Sequence, residues 1–200
     1  MKKMLWLALV LTIAAGFTLT APAGAADGEK WALPKPVTEG GKPLMEALAL
    51  RQSARNFSGK AISDQTLSDL LWATWGVNRA DGKHTAPTAL NKQEIMVFAA
   101  LESGVWFYEP SENALAKILP DDTRALYGGA PLTLIYAAPA DGEYSGAHVG
   151  SLYQNAGLYC ASAGLANVVK GTGRDALDGK LLLPEGYKVL MVQSIGWPAE

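Results

Sequence analysis

The sequence predicts an α+β fold built as a single domain. Its 200 residues leave no room for a second independent core. Apolar residues make up 49% of the chain and charged residues 18%, a balance that supports a hydrophobic core and excludes a disordered chain. Helical and β-type hydrophobic patterns follow one another in the order α-α-β-β-(α)-β-α-β. Adjacent strands joined by short turns indicate antiparallel hairpin pairing.

Residues 1–25 are predicted to form a secretory signal peptide. The basic pair Lys2-Lys3 precedes 17 residues without charge, and Ala23-Gly24-Ala25 supplies the small-residue pattern of a cleavage site. An uncleaved membrane anchor is the alternative, because 17 residues are at the lower edge of spanning length. The basic stretch lacks an Arg-Arg pair, which favours Sec-type export. The mature chain is therefore expected to be periplasmic or otherwise exported, without further contact with a membrane.

Charge and cysteine content exclude several classes of function. A formal net charge of −2 without a basic patch is not typical of a nucleic-acid-binding protein. The one cysteine, Cys160, excludes an intramolecular disulfide and a Cys-based zinc site, and its apolar neighbours predict a buried, unreactive thiol. His84 and His148 are far apart in sequence and have no ligand spacing around them, so no metal site is expected.

The amino-terminal half is predicted to contain an extended arm and two helices. Residues 26–43 form the arm because they hold three prolines and three glycines. Helix formers begin at Leu44 and form the first helix. Ser63 has the position and chemistry to cap a second helix, which extends through Trp75 and ends at Gly76.

The second half is predicted to be mainly β-structure with one long helix. Strands are expected at residues 94–101 and 104–110, which form a hairpin, at residues 130–138, which form a central strand, and at residues 187–198. Helices are expected at residues 121–127, which form a short one, and at residues 147–163, which form a long one ended by Gly164.

The long helix is unusually rich in small residues. Gly150 and Gly157 lie in its interior, where a glycine costs roughly 1 kcal/mol relative to alanine. Close approach of another group explains such a position. Two explanations are open at the level of sequence: tight packing within the chain, or a helix at the centre of a dimer interface.

The first cluster with possible chemistry is Arg51-Gln52-Ser53-Ala54-Arg55. Two guanidinium groups and a hydroxyl supply the forked donors that suit a phosphate dianion. Arginines are also favoured near the carboxyl end of a helix by the helix dipole, so a purely structural role is the alternative.

Two further clusters have the composition of loops. Residues 85–93 directly precede a strand, where binding loops often lie, and the amides of Asn91 and Gln93 suit the edge of a heteroaromatic ring. Residues 169–174 form a Gly-rich loop whose backbone N–H groups can approach a ligand. A simple turn is the alternative for both clusters.

Five segments of the sequence together resemble the motifs of one protein family. They are R-x-S-x-R-x-F at 51–57, TAPTALNKQEIMVF at 85–98, GAPLTLIYAA at 129–138, LYQNAGLYCASAGLANVVKG at 152–171 and LPEGYKVLMVQSIGWP at 183–198. In this order, from Leu44 to Pro198, the chain resembles the FMN-dependent nitroreductase-like flavoproteins. The segment LLWATWGVNR at 70–79, followed by the 85–98 segment, is most similar to the branch of azoline-oxidising peptide dehydrogenases.

The resemblance implies a nitroreductase-like sandwich over residues 44–200, with a mainly antiparallel sheet flanked by helices. It also implies an intertwined homodimer with FMN at the subunit interface. The cofactor contacts are implied position by position. Arg51, Gln52, Ser53 and Arg55 would hold the phosphate and ribityl chain, Asn91 and Gln93 would meet the ring or the ribityl chain, and the backbone of Val169, Lys170 and Gly171 would lie near the reactive edge of the flavin.

The function implied by the resemblance is oxidation and reduction of a small-molecule or peptide substrate by an exported enzyme. Flavin N5 would take a hydride from a donor and pass electrons to an acceptor in alternate half-reactions, so the chain needs no dedicated acid or base. NAD(P)H is scarce outside the cytoplasm, which leaves the donor open.

One departure from the family pattern supports a second hypothesis. Many relatives place basic residues near the carboxyl terminus against the phosphate, whereas residues 196–200 contain none. Either Arg51 and Arg55 suffice, or Arg174 or Lys170 supplies the missing contact. The second hypothesis is a non-catalytic flavin- or small-ligand-binding protein on the same fold.

Overall fold

The computed structural model describes residues 28–200, so the predicted signal peptide at residues 1–25 lies outside the described residues. The elements are β1 (Lys30–Ala32), α1 (Leu44–Leu50), α2 (Asp64–Trp75), β2 (Met96–Leu101), β3 (Gly104–Glu109), β4 (Ala114–Leu119), β5 (Leu132–Pro139), α3 (Ser145–Ala163), β6 (Ala166–Lys170) and β7 (Tyr187–Gly196). Within this range the seven strands form one sheet in the order β1-β4-β3-β2-β5-β7-β6, and all neighbouring strands are antiparallel. The predicted α+β class is confirmed.

The predicted helices are confirmed, with local signals at their ends. The Ser63 side chain accepts a hydrogen bond from the backbone N–H of Thr66 at 3.2 Å and so caps α2, which ends before Gly76. Helix α3 begins at Ser145, slightly before its predicted start. It ends at Gly164, whose φ of +75° is a left-handed conformation that favours glycine.

The predicted hairpin and central strand are also present. Strands β2 and β3 pair with Phe98 opposite Phe107. Strand β5 lies between β2 and β7, and its residues from Leu132 to Ala138 are buried. The short helix expected at residues 121–127 is a 3₁₀ turn at Arg124–Tyr127.

Three short strands of the sheet, β1, β4 and β6, are absent from the sequence prediction. Strand β1 pairs with β4 at one edge of the sheet, so the extended arm of residues 26–43 contributes an edge strand. Strand β6 pairs with β7 at the other edge and includes Val169 and Lys170. The prediction of a loop for these two residues is wrong, because the β-branched pair Val168-Val169 continues the ladder and the glycine turn begins only at Gly171.

Each face of the sheet carries its own apolar core. Helices α2 and α3 cover one face, where Leu71, Trp75 and Leu152 belong to the larger cluster. Phe98 and Ile135 point to the other face, which is covered by the 3₁₀ turns at Arg124–Tyr127 and Arg174–Leu177 and by the chain that follows. Among residues 28–200, no helix has the length and apolar composition needed to cross a membrane.

Candidate functional site

The Arg51–Arg55 segment continues from α1 as extended chain. Helix α1 ends at Leu50, and Arg51 has φ −61° and ψ 117°. The backbone N–H of Ala54 donates to the carbonyl of Asn167 at 2.8 Å, which anchors the segment beside the start of β6. Arg51 is the C-cap residue of α1, where the helix dipole favours a cation, whereas Arg55 lies four residues beyond it.

Two residues of this segment line a pocket. Gln52 and Ala54 border a space of about 300 Å³ between α3 and β6, together with the buried Asn167. The remaining residues of the segment, Arg51, Ser53 and Arg55, do not line it. All three are exposed, and neither guanidinium forms an ion pair with a carboxylate of residues 28–200. Two unpaired cations beside a hydroxyl are a suitable donor set for a dianion.

The Arg51 side chain lies against helix α3. A Cβ atom at Gly157 would be 3.7 Å from Cγ and Cδ of Arg51 and 3.7 Å from Oδ1 of Asn167. These are ordinary van der Waals distances, so packing within the chain does not require a glycine at this position. The contact gives the stem of Arg51 a neighbour on α3, although the residue as a whole is exposed.

The loop with Asn91 and Gln93 has an unusual backbone. Leu90, Asn91 and Gln93 have φ values of +54°, +53° and +46°. Residues other than glycine rarely adopt this left-handed backbone conformation. The backbone N–H of Gln93 donates to Oγ1 of Thr88 at 3.1 Å, and its side-chain amide donates to Oδ1 of Asn91 at 3.0 Å. The structure therefore brings the two predicted amides together in a conformation of the kind often found at functional sites.

His84 is held between this loop and the end of α2. Its ring stacks on Trp75 with centroids 3.9 Å apart, and Nδ1 lies 2.7 Å from the Trp75 carbonyl oxygen. Burial lowers the pKa of His84, against the opposing effect of its hydrogen bonds to Trp75 and Gln93. The neighbouring pocket of about 210 Å³ has four aromatic rings in its lining, those of Trp75, His84, Phe107 and Tyr108. No cluster of three or more His, Cys, Asp or Glu side chains suited to a metal occurs among the described residues.

The third predicted group, Val169 to Gly171, lies at the sheet edge. The Lys170 ammonium donates to the backbone carbonyl of Tyr127, and burial lowers its pKa. Lys170 pairs in register with Val192, a member of the core on the face opposite α3. Its side chain therefore points away from Arg51, and it does not replace the missing carboxyl-terminal cations.

The Arg51–Arg55 segment and the Asn91 loop contact α3 at different positions along its axis. Arg51 lies beside Gly157, whereas the Asn91 loop contacts α3 at His148 through the Ala89 backbone. Nine residues of helix separate these two points, about 14 Å along the axis at 1.5 Å per residue. Within one chain, therefore, the phosphate-type cluster and the amide cluster do not touch.

Two polar residues beside the clusters were not singled out as site residues from the sequence. Asn167 lines the Gln52 pocket and accepts from Nε2 of Gln193 at 2.9 Å. His148 contacts the loop backbone and Glu94. In the sequence, the one local signal of Asn167 or His148 is a polar residue within an element of small or apolar residues. That signal does not reveal which residue the side chain contacts.

Comparison with known proteins identifies the group to which this fold and site belong. The family model described as the Nitroreductase family matches residues 48–197, which is well over half of the chain. The chain belongs to the nitroreductase family.

Two provisionally named nitroreductases are similar to this chain over most of their length. A solved structure from Ralstonia eutropha JMP134 is 34% identical, with a TM-score of 0.80, over 91% of this chain and 95% of that one. MJ1384 of Methanocaldococcus jannaschii is 25% identical over 175 residues, which cover 74% of this chain and 88% of that protein. Both agree with an oxidoreductase of the nitroreductase family.

A third relative, from Desulfovibrio desulfuricans, was solved in complex with FMN. It is 20% identical with a TM-score of 0.58 and covers 80% of this chain and 88% of that one. At this identity the likeness is one of fold.

Proposed function

We propose that this nitroreductase-family protein is an exported FMN-dependent oxidoreductase. The observation that carries the proposal is the exposed pair of guanidinium groups of Arg51 and Arg55, which form no ion pair with a carboxylate of residues 28–200 and have the exposed Ser53 between them in the sequence. A phosphate dianion fits this donor set. The FMN bound by the Desulfovibrio desulfuricans relative supports the choice of ligand, and the composition of residues 1–25 supports export.

The described residues fit FMN at both of its ends. Arg51, Gln52, Ser53 and Arg55 would hold the phosphate and ribityl chain, and the paired amides of Asn91 and Gln93 would contact the ring or ribityl chain, with the Val169–Gly171 backbone near the reactive edge. When bound, FMN supplies hydride and electron transfer at N5. The chain itself binds and orients the cofactor, and its fixed cations favour negative charge on it.

The proposal includes a homodimer, because the two clusters do not meet within one chain. Helix α1 turns Leu44, Met45 and Leu48 outward, with exposed fractions of 63%, 75% and 43%. Leu44 also lines a groove of about 360 Å³ between the three helices, together with Trp72 and Leu158. An apolar helix face of this kind commonly packs against another copy.

The proposed substrate is a small molecule or a peptide. Its support is the likeness of residues 70–79 to the azoline-oxidising peptide dehydrogenases. In this segment, Trp75 and Val77 line the aromatic pocket that also includes Gln93. A ring-containing group fits the character of that pocket.

The proposal is tested first with the chain from residue 26 onward, incubated with FMN and desalted. Retained absorbance bands at roughly 370 and 450 nm, a property of the cofactor, would support FMN binding. The bands should then bleach with dithionite and return on addition of a quinone or a nitroaromatic acceptor, faster than for free FMN. A protein that retains FMN without faster re-oxidation would be the non-catalytic binding protein. A protein that fails to bind FMN in a titration would overturn the proposal.

A further inference from the structure

His148 is a buried histidine whose two ring nitrogens are both engaged. It lies in the first turn of α3 and is 3% exposed. Nε2 accepts a hydrogen bond from the backbone N–H of Ala89 at 2.7 Å, and Nδ1 lies 3.1 Å from Oε1 of Glu94. An amide N–H can only donate, so Nε2 must carry a lone pair. Nδ1 therefore carries the proton and donates to the carboxylate, which makes the ring neutral in this arrangement.

These two contacts enclose the left-handed loop. Ala89 and Glu94 stand at its two ends, and between them lie the backbone conformations with positive φ at Leu90, Asn91 and Gln93. Such conformations persist only when the surrounding structure holds them in place. A single imidazole connects both ends of the loop to helix α3.

We propose that His148, oriented by Glu94, is a positioning residue that holds residues 89–93 in the conformation presenting Asn91 and Gln93, and that it does so only as the neutral imidazole. The inference rests on the proposed function, in which those amides contact FMN. Protonation at Nε2 replaces the acceptor by a donor that faces the donor N–H of Ala89. The contact with Ala89 is then lost, whereas the contact with Glu94 becomes an ion pair and keeps the ring in place.

Other charged and titratable groups lie near His148 and the loop. The Lys92 ammonium is 4.0 Å from Oε2 of Glu94 and 5.9 Å from the centre of the Tyr144 ring. Tyr144 itself lies 6.1 Å from the His148 ring, centre to centre. Tyr187, on β7, has a pKa raised by burial and by the charge of Glu94. None of these groups contacts the Ala89 N–H. His84 hydrogen-bonds to the Gln93 side chain and is the second histidine at this loop, so substitution of His148 alone leaves its contribution in place.

The first test measures the loop itself in flavin-free protein. In ¹⁵N-labelled protein, the amide proton signal of Ala89 should shift on acidification, and exchange protection at residues 89–93 should fall with it, with protection of β5 unchanged. His148→Gln keeps an acceptor for Ala89 and does not titrate, so its Ala89 signal should be independent of pH. His148→Leu removes the acceptor and should lower protection of the loop at every pH.

The second test connects the loop to the cofactor, using riboflavin beside FMN because riboflavin lacks the titrating phosphate. His148→Leu should weaken both flavins about five- to tenfold at pH 8, the loss of roughly one hydrogen bond, and His148→Gln should restore most of the affinity. Glu94→Gln keeps an acceptor for Nδ1 without the charge, so it should keep the loop ordered and retain most of the flavin affinity at pH 8. This variant also guards against a leucine substitution that fails to fold.

The outcomes separate the two proposals. If the Ala89 signal and loop protection are the same in wild type and His148→Leu, or if His148→Gln retains the acid transition of wild type, the positioning role is overturned. If the loop behaves as expected but no variant binds flavin, the positioning of the loop stands and the proposed function fails.

Discussion

At the scale of single residues, the proposed phosphate binding depends on Arg51 and Arg55, two guanidinium groups without a carboxylate partner in the described chain. Arg51→Ala removes one charge-assisted contact of the type worth about 1.5–3 kcal/mol. We expect a fall in FMN affinity of roughly ten- to a hundredfold. Quenching of flavin fluorescence in a titration measures the change.

Arg174 provides a matched control for this substitution. It is exposed, and it follows Gly173, which packs against Tyr127 on the side of the sheet opposite α3. Arg174→Ala should therefore leave FMN affinity nearly unchanged. Loss of affinity in Arg174→Ala, with none in Arg51→Ala, would place the phosphate elsewhere.

Sequence and structure contribute unequally to the candidate site. The spacing of Arg51, Ser53 and Arg55 is visible in the sequence, because an extended chain places alternate residues on one side. The contact of His148 with Glu94 is not, because it joins residues 54 positions apart and depends on where α3 packs. The pairing of Lys170 with a backbone carbonyl is equally a product of long-range packing.

At the scale of elements, Gly157 in α3 controls the position of Arg51. A Cβ at this position would make ordinary contacts at 3.7 Å, so Gly157→Ala should fit. It should stabilise the helix by up to about 1 kcal/mol and leave FMN affinity unchanged. Gly157→Leu has no such space and should displace the Arg51 side chain, which lowers FMN affinity. Thermal unfolding and FMN titration of the two variants check both expectations.

The pair is informative because each variant serves as the control for the other. Equal FMN affinity in Gly157→Ala and Gly157→Leu would show that Arg51 does not depend on α3 for its position. A large loss of stability in Gly157→Ala would show that the backbone approach is closer than 3.7 Å.

The elements that escaped prediction are short strands whose partners are distant. Strand β4, with the sequence ALAKIL, contains good helix formers, and it becomes a strand because β1 and β3 pair on its two sides. Strand β1 has three residues, too few for a periodic signal. By contrast, the local cap at Ser63 and the left-handed stop at Gly164 made the ends of α2 and α3 predictable.

At the scale of the whole molecule, buried acids make the fold sensitive to alkali. Burial raises the pKa of Tyr159 to about 12 and raises that of Cys160 and Tyr136 above the ordinary values of 9.0 and 10.0. Above pH 9 the unfolded chain therefore loses protons that the folded chain keeps. The free energy of unfolding should fall as pH rises, by up to ~1.4 kcal/mol per pH unit for each group.

Urea unfolding between pH 7 and pH 10.5 measures this slope. Cys160→Ala removes the group that ionises first in the unfolded chain, so its decline should begin closer to pH 10. A free energy of unfolding that stays constant to pH 10.5 would contradict the burial of these groups.

The proposed homodimer also belongs to the scale of the whole molecule, because the proposed site needs a second copy of the chain. Met45 is the most exposed of the apolar side chains on α1, at 75%. Met45→Glu would place a carboxylate without a partner in the dimer interface, at a desolvation cost that the contact does not offset. We expect wild type to sediment as a dimer and Met45→Glu as a monomer, with unchanged circular dichroism because the residue packs little within its own chain.

Leu126→Glu is the control, since Leu126 is 51% exposed on the 3₁₀ turn that covers the opposite face of the sheet. It should remain dimeric and keep its FMN. If the cofactor is shared between copies, Met45→Glu should also lose FMN affinity. A monomeric Met45→Glu that binds FMN as tightly as wild type would place both ends of the cofactor on a single chain. The points at which the two clusters contact α3, about 14 Å apart along its axis, would then both lie beside one cofactor.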